Sequence, residues 1–441
     1  MTSTLPSYPE TLSIEPLRKK PRATIRVPGS KSLTNRALIL AALASRQTAC
    51  TLENALHSED TEIMIDALGR LGFAVRADWD ECRIEIGLNR TGRIVPAEEA
   101  DLFVGNSGTS MRFLTALVAL GKGRYRLDGI ARMRERPIGD LVTALASLGV
   151  HAQCELDNGR PPVVIQANGI GGGDVVIRGD LSSQFLSGLL LAAPRMDRPL
   201  SVAVQGQLVS VPYVEMTLAM LRQWNVPTQA TGLDLGTDVR IELGPPSGPG
   251  PSSYAIEPDA SAASYFLAAA AVTGGEIGVA GLSLEGSLQG DVAFANCLAD
   301  MGCTLVSTEP LTIRGGRLKG IDVDMNAISD CVMTLAAVAC LAEGPTTIRN
   351  IAHIRHKETD RIHALAVELR RLGAAVEEWD DGMKITPGPL RGAAVDTYND
   401  HRMAMSLAIL GLRVPGIAIN DPGCVRKTYP AFFRDLERLR A

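Results

Sequence analysis

The sequence predicts an α/β protein of two domains, each built from three copies of one repeated unit. The first observation is a set of six short polar clusters, each followed at once by an Ala- and Leu-rich helix. Successive clusters lie 78, 73, 78, 69 and 70 residues apart, counted at Ser32, Ser110, Ser183, Ser261, Asp330 and Asp400. A repeat of this length is too long for a solenoid unit and suits a small α/β subdomain used six times.

The second observation is an amphipathic helix that recurs later in each repeat and is followed by a short β-like run. In five repeats this helix ends at a Gly or Asn, which suits a left-handed C-cap because those residues adopt positive φ at little cost. The five positions are Gly72, Gly149, Asn225, Gly302 and Gly373. Each repeat is therefore predicted to hold one buried helix, one amphipathic helix and several short strands.

The buried and outer helices are told apart by composition. Segments 37–44 and 267–272 are apolar on every side, which predicts that they lie inside a domain. Segment 361–372 instead carries its apolar residues on one stripe and places Glu368 off that stripe, so it is predicted to lie on an outer layer.

The third observation is a Pro/Gly/Ser-rich stretch at 244–253, which is too rich in Pro and Gly to form a helix or a sheet interior. It separates the six repeats three and three. The predicted domains are 29–243 and a discontinuous domain of 1–28 plus 254–441, with 244–253 as the linker. We expect the active site in the cleft between the two domains.

Composition excludes several classes of function. The 441 residues have a formal net charge of -5 and only 4% aromatic residues, which argues against binding of nucleic acid or of a membrane surface. None of the eight cysteines forms a Cys-x-x-Cys pair, no run reaches the 18 apolar residues of a membrane span, and the N-terminus has no apolar signal core. We expect a cytoplasmic protein that is a monomer.

The polar clusters indicate the kind of ligand. A helix N-terminus presents unpaired N–H groups and a partial positive charge, which together favour an anion. Two of the clusters add Lys or Arg, and two add a carboxylate suited to proton transfer. These features predict an enzyme that acts on anionic small molecules.

Seven motifs, in this order, are similar to those of the enolpyruvyl transferases from about residue 24 to the C-terminus. They are Pro28–Ser32 with Asn35 and Arg36, Gly105–Thr109 with Met111 and Arg112, Arg134–Ile138, Ser182–Phe185, Lys357–Arg361, Asn399–Met405, and Lys427 with Thr428. The resemblance is to the branch of the family that acts on shikimate 3-phosphate.

The resemblance implies a two-domain inverse α/β barrel of six βαβαββ-like units that closes on its substrates. It implies transfer of the enolpyruvyl group of phosphoenolpyruvate to the 5-hydroxyl of shikimate 3-phosphate, with release of phosphate and without a cofactor. No His, Cys and Asp set has metal-ligand spacing, so no metal is expected either.

Most of the site residues follow from the resemblance. Those implied to bind phosphoenolpyruvate are Lys31, Asn106, Gly108, Arg112, Arg136, Gln184, Arg361, Arg402 and Lys427. Those implied to bind shikimate 3-phosphate are Lys31, Ser32, Arg36, Ser182, Ser183, Gln184, Ser210, Tyr213, Asp330, His353 and Lys357. Arg112 is equally able to tie down a loop.

Two carboxylates and Lys31 are the predicted catalytic residues. Asp330 is the candidate base for the 5-hydroxyl, with a helix N-cap as the alternative reading. Glu358 is the candidate acid that protonates the methylene carbon of phosphoenolpyruvate. Lys357 and Arg361 should lower the pKa of Glu358, so we expect its protonation only when both anionic substrates are bound.

Two positions depart from the family pattern. His353 stands where Asn is usual, on the side of shikimate 3-phosphate. Phe113 follows Arg112 where many members have Pro, and it predicts a slightly shifted helix and an altered response to the inhibitor glyphosate, which occupies the phosphoenolpyruvate site.

Three other functions are less consistent with the sequence. An enolpyruvyl transferase acting on UDP-N-acetylglucosamine is expected to have a loop cysteine near the Arg-rich segment, and residues 121–136 contain none. A P-loop enzyme needs Gly directly before Lys31 and five residues earlier, where Ser30 and Ile25 stand. A non-catalytic binding protein would not require both Asp330 and Glu358.

Overall fold

A computed structural model describes residues 5–440, and the strands in this range are short. They are β1 (Thr11–Ile14), β2 (Arg22–Ile25), β3 (Cys50–Glu53), β4 (Val75–Asp78), β5 (Arg83–Ile86), β6 (Glu99–Phe103), β7 (Lys122–Asp128), β8 (His151–Cys154), β9 (Val163–Asn168), β10 (Gly173–Arg178), β11 (Leu200–Gln205), β12 (Thr228–Thr231), β13 (Arg240–Leu243), β14 (Ser253–Ala255), β15 (Glu276–Val279), β16 (Thr304–Thr308), β17 (Leu311–Arg314), β18 (Asp322–Asp324), β19 (Thr346–Arg349), β20 (Ala375–Trp379), β21 (Gly382–Thr386), β22 (Ala394–Val395) and β23 (Ile417–Asn420).

The helices alternate with these strands along the chain. They are α1 (Lys31–Ala44), α2 (Glu59–Arg70), α3 (Gly108–Ala119), α4 (Gly139–Ser147), α5 (Ser183–Ala192), α6 (Val211–Gln223), α7 (Ala260–Thr273), α8 (Phe294–Asp300), α9 (Val332–Ala339), α10 (Arg361–Leu372), α11 (His401–Gly411) and α12 (Phe432–Glu437).

The chain divides into two units. The continuous unit is Ser30–Ile256, and the divided unit combines the residues up to Gly29 with those from Glu257 onward. The Pro-rich stretch expected to link two domains lies inside the continuous unit. It is held there because Ser247 N donates to Asn225 O at 2.8 Å and strand β14 pairs with β3.

The continuous unit has three four-stranded sheets of one topology, in the orders β14-β3-β5-β4, β6-β7-β9-β8 and β10-β11-β13-β12. In each sheet the first pair is parallel and the next two pairs are antiparallel. The parallel pair requires a crossover, which a buried helix such as α3 or α5 supplies. This repeated topology is the α/β arrangement that the spacing of the clusters predicts.

The divided unit repeats the pattern with the orders β2-β15-β17-β16 and β18-β19-β21-β20, and with a three-stranded sheet, β1-β23-β22. Strand β2 precedes α1 in the sequence but pairs in parallel with β15, more than 250 residues later. This pairing brings the N-terminal segment of the chain into the divided unit.

The predicted layers are confirmed. Every residue of α7 is buried, as are Leu33–Ala44 of α1, so these helices form the interiors of their units. The outer helix α10 buries its stripe of Ile362, Leu365, Leu369 and Leu372. Glu368, placed off the stripe, is buried as well, because Asp396 N and the Tyr398 hydroxyl both donate to it, at 3.2 and 2.8 Å.

The predicted C-caps are also confirmed, since Gly72, Gly149, Asn225, Gly302 and Gly373 all have positive φ. No helix among residues 5–440 has the length and apolar character that crossing a membrane requires.

Candidate active site

Five of the six polar clusters cap the helix that follows them. The side chain of the N-cap residue accepts a backbone N–H in the first turn of α1, α3, α5, α7 and α11, and these residues are Ser30, Ser107, Ser182, Asp259 and Asp400. Asp330 is the exception. It lies in a 3₁₀ turn, Ser329–Cys331, and the N-cap position of α9 is Cys331, which makes no side-chain cap. The alternative reading of Asp330 as an N-cap is therefore wrong.

The carboxylate of Asp330 is instead surrounded by three cations. Lys357 Nζ donates to Oδ1 at 2.6 Å, Arg361 Nη1 to Oδ1 at 3.2 Å, and Arg402 Nη2 to Oδ2 at 2.6 Å. Burial alone would raise the pKa of Asp330, but Arg402, Lys357 and Arg361 outweigh burial and hold that pKa well below its usual value. Asp330 is thus ionised, and it is the shared partner of all three cations.

Arg361 holds two further carboxylates. Its Nη2 donates to Glu358 Oε2 at 2.8 Å, and its Nε donates to Asp400 Oδ2 at 2.8 Å. The Arg361 side chain is only 1% exposed. Burial lowers its pKa, but the three carboxylates outweigh burial and the net shift is upward, so Arg361 is a fixed positive charge. Of the two cations expected beside Glu358, Arg361 contacts it, and Lys357 contacts Asp330.

Two other predicted cations are also buried in the divided unit. Arg402 is the second residue of α11 and reaches the Tyr265 hydroxyl and Ser261 Oγ, both at 3.4 Å. Lys427 ends a 3₁₀ turn, Pro422–Lys427, and is 6% exposed. Long cationic side chains are rarely buried in this way without an anionic partner or ligand.

His353 lies in the same unit and is neutral. It is 6% exposed, and burial, reinforced by the positive charge of Lys357, lowers its pKa to about 3. A neutral imidazole carries one donor and one acceptor, so it offers hydrogen bonds of the same kinds as the Asn usual at this position.

The depressed pKa of His353 makes stability depend on pH. Between pH 3 and 6.5 the unfolded chain binds a proton that the folded chain excludes, so the free energy of unfolding falls as the pH is lowered through this range. The contribution of His353 approaches about 1.4 kcal/mol per pH unit. We expect His353→Asn to lose this one-proton slope, measured by urea unfolding between pH 6.5 and 5. Equal slopes for the variant and the wild type would contradict a neutral His353.

In the continuous unit Arg36 is a buried residue of α1. Its Nε donates to Thr217 Oγ1 at 2.8 Å and its Nη2 to Tyr213 O at 3.1 Å, and its guanidinium lies 5.2 Å from the centre of the Phe113 ring. Burial lowers its pKa to about 10, which still leaves it charged at neutral pH. Phe113 therefore supports a predicted binding residue by a cation–π contact.

A second group in this unit forms around Gly108, the first residue of α3. Arg136 Nη1 donates to Asn106 O at 3.1 Å and to Asn106 Oδ1 at 3.3 Å. Arg112 Nη2 donates to Pro137 O at 2.6 Å, so Arg112 does hold the loop that carries Arg136. Four residues from two separate motifs are thus brought together: Asn106, Gly108, Arg112 and Arg136.

The remaining predicted residues lie at helix starts. Gln184 Nε2 reaches Thr109 Oγ1 at 3.5 Å, which links α5 to α3. Lys31 Nζ lies 3.5 Å from Asp60 Oδ2. Ser210 precedes α6 with a left-handed backbone, φ 53°. Ser32, Ser183 and Tyr213 occupy the first turns of α1, α5 and α6.

Sequence reasoning missed three residues that belong to these groups. Asp60 pairs with Lys31, Thr217 binds Arg36, and Asp291 accepts a hydrogen bond from Ser261 Oγ, which in turn contacts Arg402. None lies within the seven motifs, and no local pattern identifies them: Asp60, for example, is one of several polar residues in the run 58–62. Among residues 5–440, no group of three or more His, Cys, Asp or Glu side chains could hold a metal ion.

A family model described as EPSP synthase (3-phosphoshikimate 1-carboxyvinyltransferase) matches residues 17–436. A 3-phosphoshikimate 1-carboxyvinyltransferase from Nostoc punctiforme is 47% identical over 426 residues, which cover 96% of this chain and 98% of that protein. One from Shewanella denitrificans is 46% identical over 420 residues, covering 94% and 96%.

A solved structure of EPSP synthase from Acinetobacter baumannii matches with a TM-score of 0.78 at 25% identity, covering 97% of this chain and 98% of that one. The match extends over both units and their six sheets, so the fold is that of this enzyme. The chain belongs to the EPSP synthase family, whose activity is that of a 3-phosphoshikimate 1-carboxyvinyltransferase.

Proposed function

We propose that Asp330, Glu358 and Lys31 are the catalytic residues with which the chain carries out its family's reaction, the transfer of the enolpyruvyl group of phosphoenolpyruvate to the 5-hydroxyl of shikimate 3-phosphate. Family membership supports the reaction. The observation that carries the assignment of residues is Asp330, a carboxylate only 16% exposed that caps no helix and is shared by three cations. Such a group is costly to bury and is typical of an active site.

The proton transfers follow from the two carboxylates. Asp330 accepts the proton of the 5-hydroxyl, and Glu358 donates a proton to the methylene carbon of phosphoenolpyruvate. The 5-oxygen then forms a bond to C2, which gives a tetrahedral intermediate. Glu358 takes a proton back from the new methyl group as the bond between C2 and the phosphate oxygen breaks. The phosphate leaves with the proton that Asp330 had accepted from the 5-hydroxyl. The positive charge that develops at C2 is stabilised by the nearby carboxylates.

Asp330 can act as a base once substrate binding has raised its pKa. With its three cations in place its pKa is too low for it to accept a proton well. The same cations are the ones assigned to the substrates: Arg361 and Arg402 to phosphoenolpyruvate, and Lys357 to shikimate 3-phosphate. As the substrate anions draw these cations away, the pKa of Asp330 rises.

The two units supply different groups to this reaction. The catalytic carboxylates belong to the divided unit, whereas Lys31, Arg36 and the group around Gly108 belong to the continuous unit. We also propose that the two units are the two functional domains and that the enzyme is a cytoplasmic monomer. Gel filtration with light-scattering detection measures the molar mass and so tests whether the enzyme is a monomer.

Gly108→Ala is expected to weaken the binding of phosphoenolpyruvate. A Cβ at Gly108 would lie 2.4 Å from Arg136 Nη2 and 2.9 Å from Arg136 Cζ, so the guanidinium must move. Loss of a charge-assisted bond should raise KM for phosphoenolpyruvate about tenfold or more, with a smaller effect on KM for shikimate 3-phosphate. Steady-state kinetics with each substrate varied measures both. Gly69→Ala, at a position with no atom within 4 Å of the added Cβ, is the control. An unchanged KM would contradict the role of Arg136.

The function is tested by measuring phosphate release from phosphoenolpyruvate with and without shikimate 3-phosphate, in the absence of nucleotide. We expect release only when both substrates are present. Release with UDP-N-acetylglucosamine in place of shikimate 3-phosphate would retain the chemistry and overturn the acceptor. No release with either acceptor would contradict the proposed function.

A further inference from the structure

A buried carboxylate, that of Asp291, is linked to Arg402 through Ser261 and has no role in the proposed mechanism. Asp291 belongs to a 3₁₀ turn, Gly290–Ala293, and is 4% exposed. Its Oδ2 accepts a hydrogen bond from Ser261 Oγ. Ser261 Oγ lies 3.4 Å from Arg402 Nη2, and this same nitrogen donates to Asp330 Oδ2 at 2.6 Å. The four side chains thus form one continuous line of contacts.

The turn that carries Asp291 is fixed against the start of α7. Gln289 Oε1 accepts from Ala260 N at 3.0 Å, and Gln289 Nε2 donates to Pro258 O at 2.8 Å. Because Ser261 is the second residue of α7, these bonds hold Asp291 and Ser261 in register with each other. The contact between Asp291 and Ser261 is therefore supported by the bonds from the Gln289 side chain to the backbone before and at the start of α7.

We propose that Asp291, acting through Ser261, is a positioning residue that orients Arg402 for phosphoenolpyruvate. This inference rests on the proposed function, in which Arg402 binds that substrate. An ionised carboxylate can only accept hydrogen bonds, so the Ser261 hydroxyl must donate its proton to Asp291. The lone pairs of Ser261 Oγ then face Arg402, which can only donate. When substrate draws Arg402 from Asp330, Ser261 remains to hold the guanidinium in place.

The orientation requires Asp291 to be ionised. Burial and the negative charge of Asp330 raise the pKa of Asp291 to about 6, whereas the bond from Ser261 and the charge of Arg402 lower it. The groups that act on it are Ser261 and Asp259 at the start of α7, Asp330 and Cys331 in the neighbouring turn, and Arg402 on α11. A protonated Asp291 could donate to Ser261 and turn the hydroxyl hydrogen toward Arg402. The contact with Arg402 would then weaken below about pH 6.

A double-mutant cycle tests this inference. Asp291→Asn and Ser261→Ala should each raise KM for phosphoenolpyruvate about tenfold, the effect of roughly one hydrogen bond, with little change in KM for shikimate 3-phosphate. Because Asp291 acts only through Ser261, the double variant should be no worse than Ser261→Ala alone. Ser261→Thr, which keeps the hydroxyl, should restore KM. Asp300→Asn, at an exposed position on α8, is the matched control.

The pH profile gives a second readout. For the wild type kcat/KM for phosphoenolpyruvate should fall as Asp291 takes up a proton near pH 6, and Asp291→Asn should lack that part of the fall. The free substrates titrate identically in the assays of both proteins, so a difference between the two pH profiles comes from the enzyme.

Additive effects in the cycle would overturn the inference, because they would mean that Asp291 acts on Asp330 directly or only stabilises the fold. An unchanged pH profile or equal losses for both substrates would also overturn it. Each of these results leaves the proposed function standing if the wild type is active. A wild type that is inactive with both substrates would overturn the proposed function first, and this inference with it.

Discussion

Replacing Asp330 with Asn is expected to lower kcat for enolpyruvyl transfer by about 10²–10⁴-fold, the range typical of a lost general base. The variant should still bind phosphoenolpyruvate at least as tightly as the wild type. The reason is that Arg361 and Arg402, which donate to Asp330 at 3.2 and 2.6 Å, no longer have this carboxylate as a competitor for the substrate.

The two effects are separated by steady-state kinetics and by calorimetric titration of phosphoenolpyruvate. Asp322→Asn, which removes a 63%-exposed carboxylate of the same unit, should change neither. A small loss of kcat, or weaker binding together with the loss of kcat, would mean that Asp330 is structural and that the base lies elsewhere.

Replacing Arg361 with Leu is expected to have the largest effect on stability. Its side chain is 1% exposed and contacts Asp330, Glu358 and Asp400, so its loss leaves three carboxylates without their common cation. Breaking a buried ion pair in this way costs about 3–5 kcal/mol. That cost corresponds to a fall of roughly 6–20 °C in Tm.

Thermal unfolding followed by circular dichroism measures the shift, and Arg349→Leu is the control. Arg349 pairs with Asp322 at the surface, with both side chains at least half exposed, so its removal should have little effect. If the two variants had the same Tm, the network around Arg361 would not be a stabilising centre of the divided unit.

Local patterns predict the fold well because each has one strong physical cause. A polar residue before an apolar run predicts a helix start, and five of the six clusters do cap helices. A Gly or Asn after an amphipathic run predicts a left-handed C-cap, as at Gly72 and Asn225. These signals lie within a few residues of the structure that they specify.

Other features depend on residues distant in the sequence, and the sequence predicts them poorly. The 244–253 stretch has the composition of a linker, yet it packs in the continuous unit through bonds to Asn225. Glu368 looks like a surface residue of α10, and it is buried because Tyr398 reaches it from thirty residues away. The contact between Lys357 and Asp330 likewise joins residues 27 positions apart in the sequence.

The candidate site shows the same limit. The motifs contain the cations and Glu358, and a polar cluster contains Asp330, but Asp291 stands outside both, and only its contact with Ser261 reveals it. The structure therefore identifies the side chains that contact the predicted residues. These contacts determine which groups are ionised in the absence of substrate.

The measurement that tests the mechanism most directly is the deuterium content of the product formed in D₂O. In the proposed reaction Glu358 adds a solvent-derived proton to the methylene carbon of phosphoenolpyruvate and later removes one from the resulting methyl group. Mass spectrometry of the enolpyruvyl product should therefore find deuterium on that carbon. A product made at the normal rate with no deuterium would contradict protonation at carbon, and with it the addition and elimination through a tetrahedral intermediate.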